Sequence, residues 1–432
     1  MLSVHRLALI DCNNFYVSCE QAFNPKLRHR AVVVLSNNDG CVVSRSQEAK
    51  QAGIPMGAPY FQIRQALAQV NGMALSSNYA LYADMSHRAM QLIREQIPDQ
   101  EVYSIDECFI DLSGFSSDQA LVQAFRIRQR LLQCLSLPVS VGLGATKTQA
   151  KLAGEIAKRR ATSGICDLSG ELSAERQSEM VNQSVDNVWG IGHRTSASLE
   201  SAGIRTVGEL LAKPTSWIRR RYSINLLRTV DELRGLPRLG FQHQPEPRQQ
   251  IIASRSFGHV ITAYADLVEA VSTFVMRACE RLREDHSLTT IIQVYYRAKN
   301  ASDGALCADS LALPLLSATD DTRQITRQAL EALGQIYRPG LKYKKAGVVL
   351  SGICPAQIRQ PELVGLYPVA AGPSATMQLM DQINQRYGRD TLRVATMGVN
   401  DDALWHMSCS RRSRRYTTAL EELPVFSASG MR

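Results

Sequence analysis

Runs of apolar positions broken by polar turns predict strands and helices in alternation along the first part of the chain. Arg6–Ile10 reads as a strand that runs into Asp11. Cys12 to Tyr16 then lead into a short amphipathic helix with Phe15 and Cys19 one turn apart. Ala31–Leu35 is a β-branched apolar run typical of a buried strand, closed by the turn sequence Ser36–Gly40. Gln47–Ala52 predicts a helix ended by Gly53, and Tyr82–Ile97 a longer one stopped by Pro98. Val102–Leu112 reads as strand, acidic turn, strand, with Asp106 and Glu107 in the turn. Leu121–Cys134 returns to helix, Pro138–Gly144 to strand and Thr146–Arg160 to a basic helix. This alternation predicts an α/β sheet domain over about the first 170 residues.

Strand signals then fade. Val185–Pro237 reads as short helices joined by glycines at 190, 192, 203 and 208, and Phe241–Gln250 as an exposed linker. Beyond it, Ile251–Val260, Thr290–Tyr296 and Lys345–Leu350 predict strands around helices at Tyr264–Asp285 and Thr322–Ile336, a second α/β unit of βαββαβ type. After Pro355 the chain is richer in Pro and Gly and turns basic at Ser410–Arg415.

A chain of 432 residues exceeds one ordinary core and suggests two to four domains. With 45 % hydrophobic and 21 % charged residues, its composition is globular rather than disordered. The longest apolar runs fall far below the roughly 20 residues of a membrane span, and Leu7–Ile10 is too short for a signal-peptide core. Ten scattered cysteines without a CxxC pair speak against a zinc site and predict free thiols in a reducing cytoplasm. The net charge of +9 is uneven: residues 1–180 hold 18 Lys/Arg against 17 Asp/Glu, and the remainder holds 31 against 23. A neutral part carrying carboxylates and a basic remainder suggest chemistry in one and a polyanion gripped by the other.

Asp11 ends one apolar strand, and Asp106 with Glu107 sits between two others. An unpaired buried carboxylate costs several kcal/mol, so three acids at strand ends suggest a neutralising cation. All-oxygen ligation suits Mg²⁺, and two such ions can clamp an in-line phosphoryl displacement. The alternative is that they are solvated turn carboxylates. Lys147, Lys151 and Lys158 fall on one face of the basic helix, either a solvated surface or a grip on a triphosphate. Gly190-Ile191-Gly192 between helices fits a helix–hairpin–helix whose backbone N–H groups bind phosphate. Arg219, Arg220 and their neighbours follow it, and the alternative there is a plain helical turn with a basic surface.

Taken together, these residues resemble a Y-family, lesion-bypass DNA polymerase. DCNNFYVSCE (11–20) is similar to the family's first motif, YSIDE (103–107) to its second, and VDNVWGIG (185–192) to the thumb hairpin. Within the family, LSNNDGC (35–41), SSNYALYADMS (76–86), IASRSFG (252–258) and YKKAG (343–347) resemble the UmuC-type subunit of polymerase V. The resemblance implies an α/β (α+β multidomain) right-hand polymerase: palm at 1–15 and 81–170, fingers at 16–80, a helical helix–hairpin–helix thumb at 171–241, a linker at 242–250. An α/β little finger at 251–355 and a C-terminal extension at 356–432 would complete it.

By motif position, Asp11, Asp106 and Glu107 would bind two Mg²⁺ with the Cys12 backbone carbonyl as a further ligand, Asp106 and Glu107 being catalytic. Tyr16 would be the steric gate against a ribose 2′-OH. Phe15 and Tyr16 backbone N–H groups, with Ser44, Lys50 and Lys158, would hold the dNTP triphosphate. Gly190, Gly192, Arg219, Arg220 and Arg255 would contact primer–template DNA. The implied activity is error-prone, template-directed synthesis across damage in the SOS response, in the cytoplasm and on the nucleoid. Implied partners are a processed UmuD-type dimer, a RecA filament and a sliding clamp, met through a degenerate motif at QPELVGLY (360–367). Two other readings stand beside it. A DNA-binding repair accessory that occupies stalled primer ends is disfavoured by the presence of all three acids, and a nucleotide cyclase would have no use for the glycine hairpin.

Overall fold

The computed structural model describes residues 5–159, 163–170, 172–243, 246–301, 303–357, 375–399 and 403–423. The described residues of 1–245 and 411–432 form one compact unit, and those of 246–410 the other. In chain order the first unit holds β1 (Leu7–Cys12), α1 (Phe15–Phe23), β2 (Val32–Leu35), β3 (Val42–Arg45), α2 (Gln47–Gln51), α3 (Tyr60–Gln69) and β4 (Met73–Ser76). There follow α4 (Tyr79–Gln96), β5 (Gln100–Val102), β6 (Glu107–Asp111), α5 (Ser117–Leu135), β7 (Val139–Gly144), α6 (Lys147–Arg159) and β8 (Ile165–Leu168). Five helices close the run: α7 (Ala174–Val181), α8 (His193–Ser201), α9 (Val207–Leu211), α10 (Thr215–Arg221) and α11 (Ile224–Leu233).

The main sheet has the order β5-β6-β1-β7-β8, so β1 lies in the centre, antiparallel to both neighbours. All six residues of β1 are buried, which is why its sequence reads as an unbroken apolar run. One face packs on α4 and α5 through Leu81, Met85, Ile93, Ala124, Ile127 and Leu131. On the other, α6 approaches β7 where that strand carries glycine. A Cβ on Gly142 would stand 2.1 Å from the Gly154 nitrogen and 2.2 Å from the Ala150 carbonyl oxygen. That close approach sets the height of the lysines of α6 above the strand ends.

A smaller sheet, β3-β2-β4, pairs β2 with β4 in parallel and carries its own core of Val33, Leu35, Ile54, Ile63 and Leu67. The short helices after residue 173 bury Leu199, Ile204, Leu210, Ile218 and Val230 together with Leu152 and Ile156 of α6. Phe241, at the start of the expected linker, packs on Leu9, Phe109 and Ala150. Past it, the described residues up to 250 are exposed and without regular structure.

The second unit holds β9 (Ile251–Ile261), α12 (Tyr264–Glu284), β10 (Ser287–Asn300), β11 (Leu306–Thr319), α13 (Thr322–Ile336), β12 (Leu341–Ser351), β13 (Cys354–Pro355) and α14 (Ala375–Tyr387). Its antiparallel sheet runs β11-β10-β12-β9 with α12 and α13 packed on one face, which is the βαββαβ order. Strand β11 has no clear signal in the sequence. It is an edge strand with one open face, so Ser310 and Pro314 interrupt its apolar pattern without cost to the ladder, while Asp309, on the covered face opposite Tyr296, pairs with Arg338 (3.0 Å). The basic stretch at 411–415 is neither a free tail nor an extension of the second unit: it folds back onto the first. The expected clamp motif at 360–367 lies outside the described residues. The ten cysteines are all free thiols.

Candidate active site

Strand β1 delivers Asp11 and strand β6 begins at Glu107, and the two residues are partners across the antiparallel pair. The Cys12 N–H donates to the Asp106 carbonyl (2.9 Å), which pins the acidic turn to the end of β1. Within that turn the Ser104 hydroxyl donates to the Asp106 carboxylate (2.5 Å) and accepts from the Asp106 and Glu107 N–H groups.

Helix α6 answers these charges. Lys158 lies 2.9 Å from Asp11 and 2.8 Å from Glu155, and Lys151 lies 2.8 Å from Glu107. Lys151 also lies over the rings of Tyr103 (4.3 Å) and Trp189 (5.0 Å). The third lysine of the face, Lys147, is buried and bound to Glu101 (2.6 Å) and the Gly240 carbonyl (2.7 Å), so it is a packing element rather than a grip on phosphate. Burial pushes the Asp11 carboxyl up to about 6, against the pull of Lys158 and with the push of Glu107. Burial works to lower Lys158, yet Asp11 and Glu155 hold it above the ordinary lysine value. Among the described residues, no group of three His, Cys, Asp or Glu side chains is gathered as a ready metal cage: Asp11 and Glu107 are turned onto lysines and Asp106 onto Ser104.

Beside the acids, Asn14 adopts a left-handed conformation (φ 51°) and starts α1 without a side-chain cap. The Ser44 hydroxyl donates to the Asn14 carbonyl (3.2 Å) and accepts from Val17 N–H (3.4 Å), tying β3 to the first turn of α1. The Tyr16 ring stacks on Tyr82 at 4.5 Å and 15°. Lys50 is held below its usual value by burial and by the like charges of Arg45 and Lys158. This crowding of cations marks a place fit for a polyanion.

A cavity of about 650 Å³ joins these parts. It is lined by Asp11, Cys12, Phe15, Tyr16, Ser44, Lys50, Asp106, Glu107 and Lys158, and also by Arg45 and Met56. Neither Arg45 nor the pairing of Lys151 with Glu107 is singled out by the sequence. The i, i+4 spacing of Lys147 and Lys151 is visible there, but which carboxylate each meets depends on sheet order.

The remaining expected residues lie elsewhere. Gly190 has φ 88°, a conformation glycine adopts freely, Ile191 is buried, and Gly192 caps α8 with open space about it. Arg219 and Arg220 are exposed at the end of α10. Arg255 falls in step with the core residues Ala253 and Phe257 by register, yet it is exposed, near Arg277 and Arg389. Ser254, Ser256, Tyr295, Arg297 and Lys345 share the opposite face by register.

The impB/mucB/samB family matches residues 10–155, and that family's C-terminal domain matches 248–363. Protein UmuC of Salmonella typhimurium is 40 % identical over 421 residues, covering 96 % of this chain and 99 % of that protein. The chain belongs to the UmuC family of Y-family DNA polymerases. Other members of the UmuC family are similar over the same length: MucB of Escherichia coli is 39 % identical, with 97 % of this chain and 99 % of that one covered. DNA polymerase IV of Moorella thermoacetica is 28 % identical over 90 % of this chain and 95 % of its own. Among solved structures, a Y-family DNA polymerase chimera of Dbh and Dpo4 superposes with a TM-score of 0.63 at 17 % identity. It covers 81 % of this chain and 99 % of that one, a likeness of fold. A domain of unknown function, DUF4113, matches 374–425. As a UmuC-type enzyme the chain is a translesion DNA polymerase, and its nucleotidyl transfer is metal-dependent. Among the described residues no helix is long and apolar enough to cross a membrane.

Proposed function

We propose that this cavity transfers a nucleotide from a dNTP to a primer 3′-OH, with Asp11, Asp106, Glu107 and the Cys12 carbonyl holding two Mg²⁺. The observation that carries the reading is the meeting, in one cavity, of the Asp11–Glu107 pair with the uncapped start of α1 and the cations of Arg45, Lys50 and Lys158. The donor set fits a hard divalent ion: every donor is oxygen, and two facing carboxylates carry charge that lysines now balance. Bound there, such ions lower the pKa of the attacking hydroxyl and neutralise pyrophosphate.

The chain's own residues do the rest. Phe15 and Tyr16 present N–H groups at a helix start, where anions are stabilised. Ser44, Lys50 and Lys158 complete the triphosphate grip. The Tyr16 ring, backed by Tyr82, bars a ribose 2′-OH as the steric gate. The Gly190–Gly192 hairpin with Arg219 and Arg220 holds DNA backbone without reading sequence. In the second unit, exposed Arg255 and, on the opposite face, Arg297 and Lys345 are the candidate contacts for DNA. In these terms the palm is 1–15 and 81–170, the fingers 16–80, the thumb 171–241 and the little finger 251–355. A UmuD-type dimer, a RecA filament and a sliding clamp are the proposed partners, met on the nucleoid in the cytoplasm.

Primer extension tests the assignment. Asp106→Asn is expected to abolish extension in Mg²⁺ while DNA binding, read by anisotropy, stays within about twofold, since base and phosphate contacts lie elsewhere. Full activity in that variant would remove Asp106 from the metal site.

A further inference from the structure

The basic stretch after residue 410 is seated on the first unit by directional bonds. Ser76 N–H donates to the Arg411 carbonyl (3.1 Å), Arg411 N–H donates to the Ser76 hydroxyl (2.9 Å), and Ser76 bridges Arg412 in parallel. The segment thus continues pairing at the end of β4. The Asn78 side-chain amide donates to the Ser413 hydroxyl (2.9 Å) and the Arg414 carbonyl (3.0 Å), and Tyr416 stacks on Phe23 at 5.1 Å and 5°.

At the centre of this contact is Glu20, 1 % exposed. Its carboxylate accepts from the Ser413 hydroxyl (2.9 Å) and from the Tyr82 hydroxyl (2.7 Å). Burial raises its pKa, and those two donors work against the rise. Tyr82 is fully buried, and its ring is the surface on which Tyr16 stacks. Tyr79 meets both rings edge-on at 6.3 Å.

We propose that residues 411–416 are an in-chain strap that sets sugar selection: Ser413 fixes Glu20, Glu20 fixes Tyr82, and Tyr82 holds Tyr16 in place. This rests on Tyr16 being the ring that excludes a 2′-OH. A steric barrier discriminates only if it cannot retreat. Tyr16 cannot move toward Tyr82 without displacing a buried ring whose hydroxyl is anchored at its far end. Ser413, Glu20 and Tyr82 are therefore positioning residues, and none of them lines the cavity.

The test uses the full chain on a primer–template whose primer lacks a 3′-OH, with equilibrium binding of dATP and ATP as the readout. Tyr16→Ala is expected to narrow the dATP-over-ATP preference. Ser413→Ala and Tyr82→Phe are each expected to narrow it by roughly 3- to 10-fold, tenfold being about 1.4 kcal/mol, while dATP affinity holds within about twofold. Ser413→Thr, which keeps the hydroxyl, should restore the preference, and in the Tyr16→Ala background Ser413→Ala should add nothing. In parallel, amide exchange in Ser413→Ala should quicken in α1 and at 79–82. If Tyr16→Ala narrows the preference and Ser413→Ala and Tyr82→Phe do not, the strap is overturned and the gate stands. If Tyr16→Ala leaves the preference unchanged, the gate falls and the strap with it. Unchanged exchange in Ser413→Ala overturns the relay by itself.

Discussion

Asp11 and Glu107 face each other across β1 and β6, and each is met by a lysine of the same helix, Lys158 at 2.9 Å and Lys151 at 2.8 Å. One helix thus balances two strand ends, and its seating on the sheet decides whether the site assembles.

Gly142→Ala tests that seating. The added methyl would fall 2.1 Å from a backbone nitrogen of α6, which no rotamer change relieves. The variant is expected to lose about 3 kcal/mol by urea titration. Primer extension should fall further than the reduced stability explains, because Lys151 and Lys158 shift together. A variant of native stability and activity would show that α6 is free to lift.

Lys147 and Lys151 should separate stability from function. Lys147→Met removes the lysine counter-charge from the nearly buried Glu101 carboxylate and leaves it the Gln242 N–H, and about 3 kcal/mol of destabilisation is expected. Lys151→Met should keep near-native stability, since its pair is more exposed, but should impair extension. Thermal unfolding and primer extension of the two variants, compared side by side, check this. The reverse pattern would contradict the assignment of Lys147 to packing.

The thumb arginines should act through phosphate alone. Arg219→Ala with Arg220→Ala is expected to weaken binding equally across DNA sequences. The slope of log affinity on log salt should flatten by about 0.9 for each phosphate that an arginine no longer neutralises. An unchanged slope would mean that these exposed side chains face solvent.

Glu20 predicts a pH dependence of stability. Its pKa is raised in the folded protein, so the native state binds this proton more readily than the unfolded chain does. The penalty is present above the folded pKa and fades as pH falls through it toward the ordinary carboxylate value, so this group favours folding more at lower pH. Glu20→Gln should abolish that contribution. The stability difference, wild type minus variant, should therefore grow in favour of wild type as pH falls from neutral toward the ordinary carboxylate value in urea titrations. A difference that shrinks over this window would reverse the assigned direction.

Legibility in the sequence follows how local each signal is. The helix Thr322–Ile336 is plain because burial on one side imposes a regular period, and the strand ending at Asp11 because burial on both faces leaves an unbroken apolar run that the acid interrupts. Strand β11 is obscured because its open edge tolerates polar residues and a proline. The seating of 411–416 is invisible. Arginines flanking one serine look solvated until Ser76, Asn78 and Glu20, more than 300 residues away, are brought beside them.

By itself, the order of residues determined the family, the α/β elements and the candidate acids, because motifs and periodicities are short-range features. Only the tertiary structure decided that Lys147 packs while Lys151 and Lys158 face carboxylates, that Arg255 stays exposed though in step with core residues, and that Ser413 reaches Tyr16 through Glu20 and Tyr82. Those choices depend on strand order and helix height. Both are set by close packing among residues far apart in the chain.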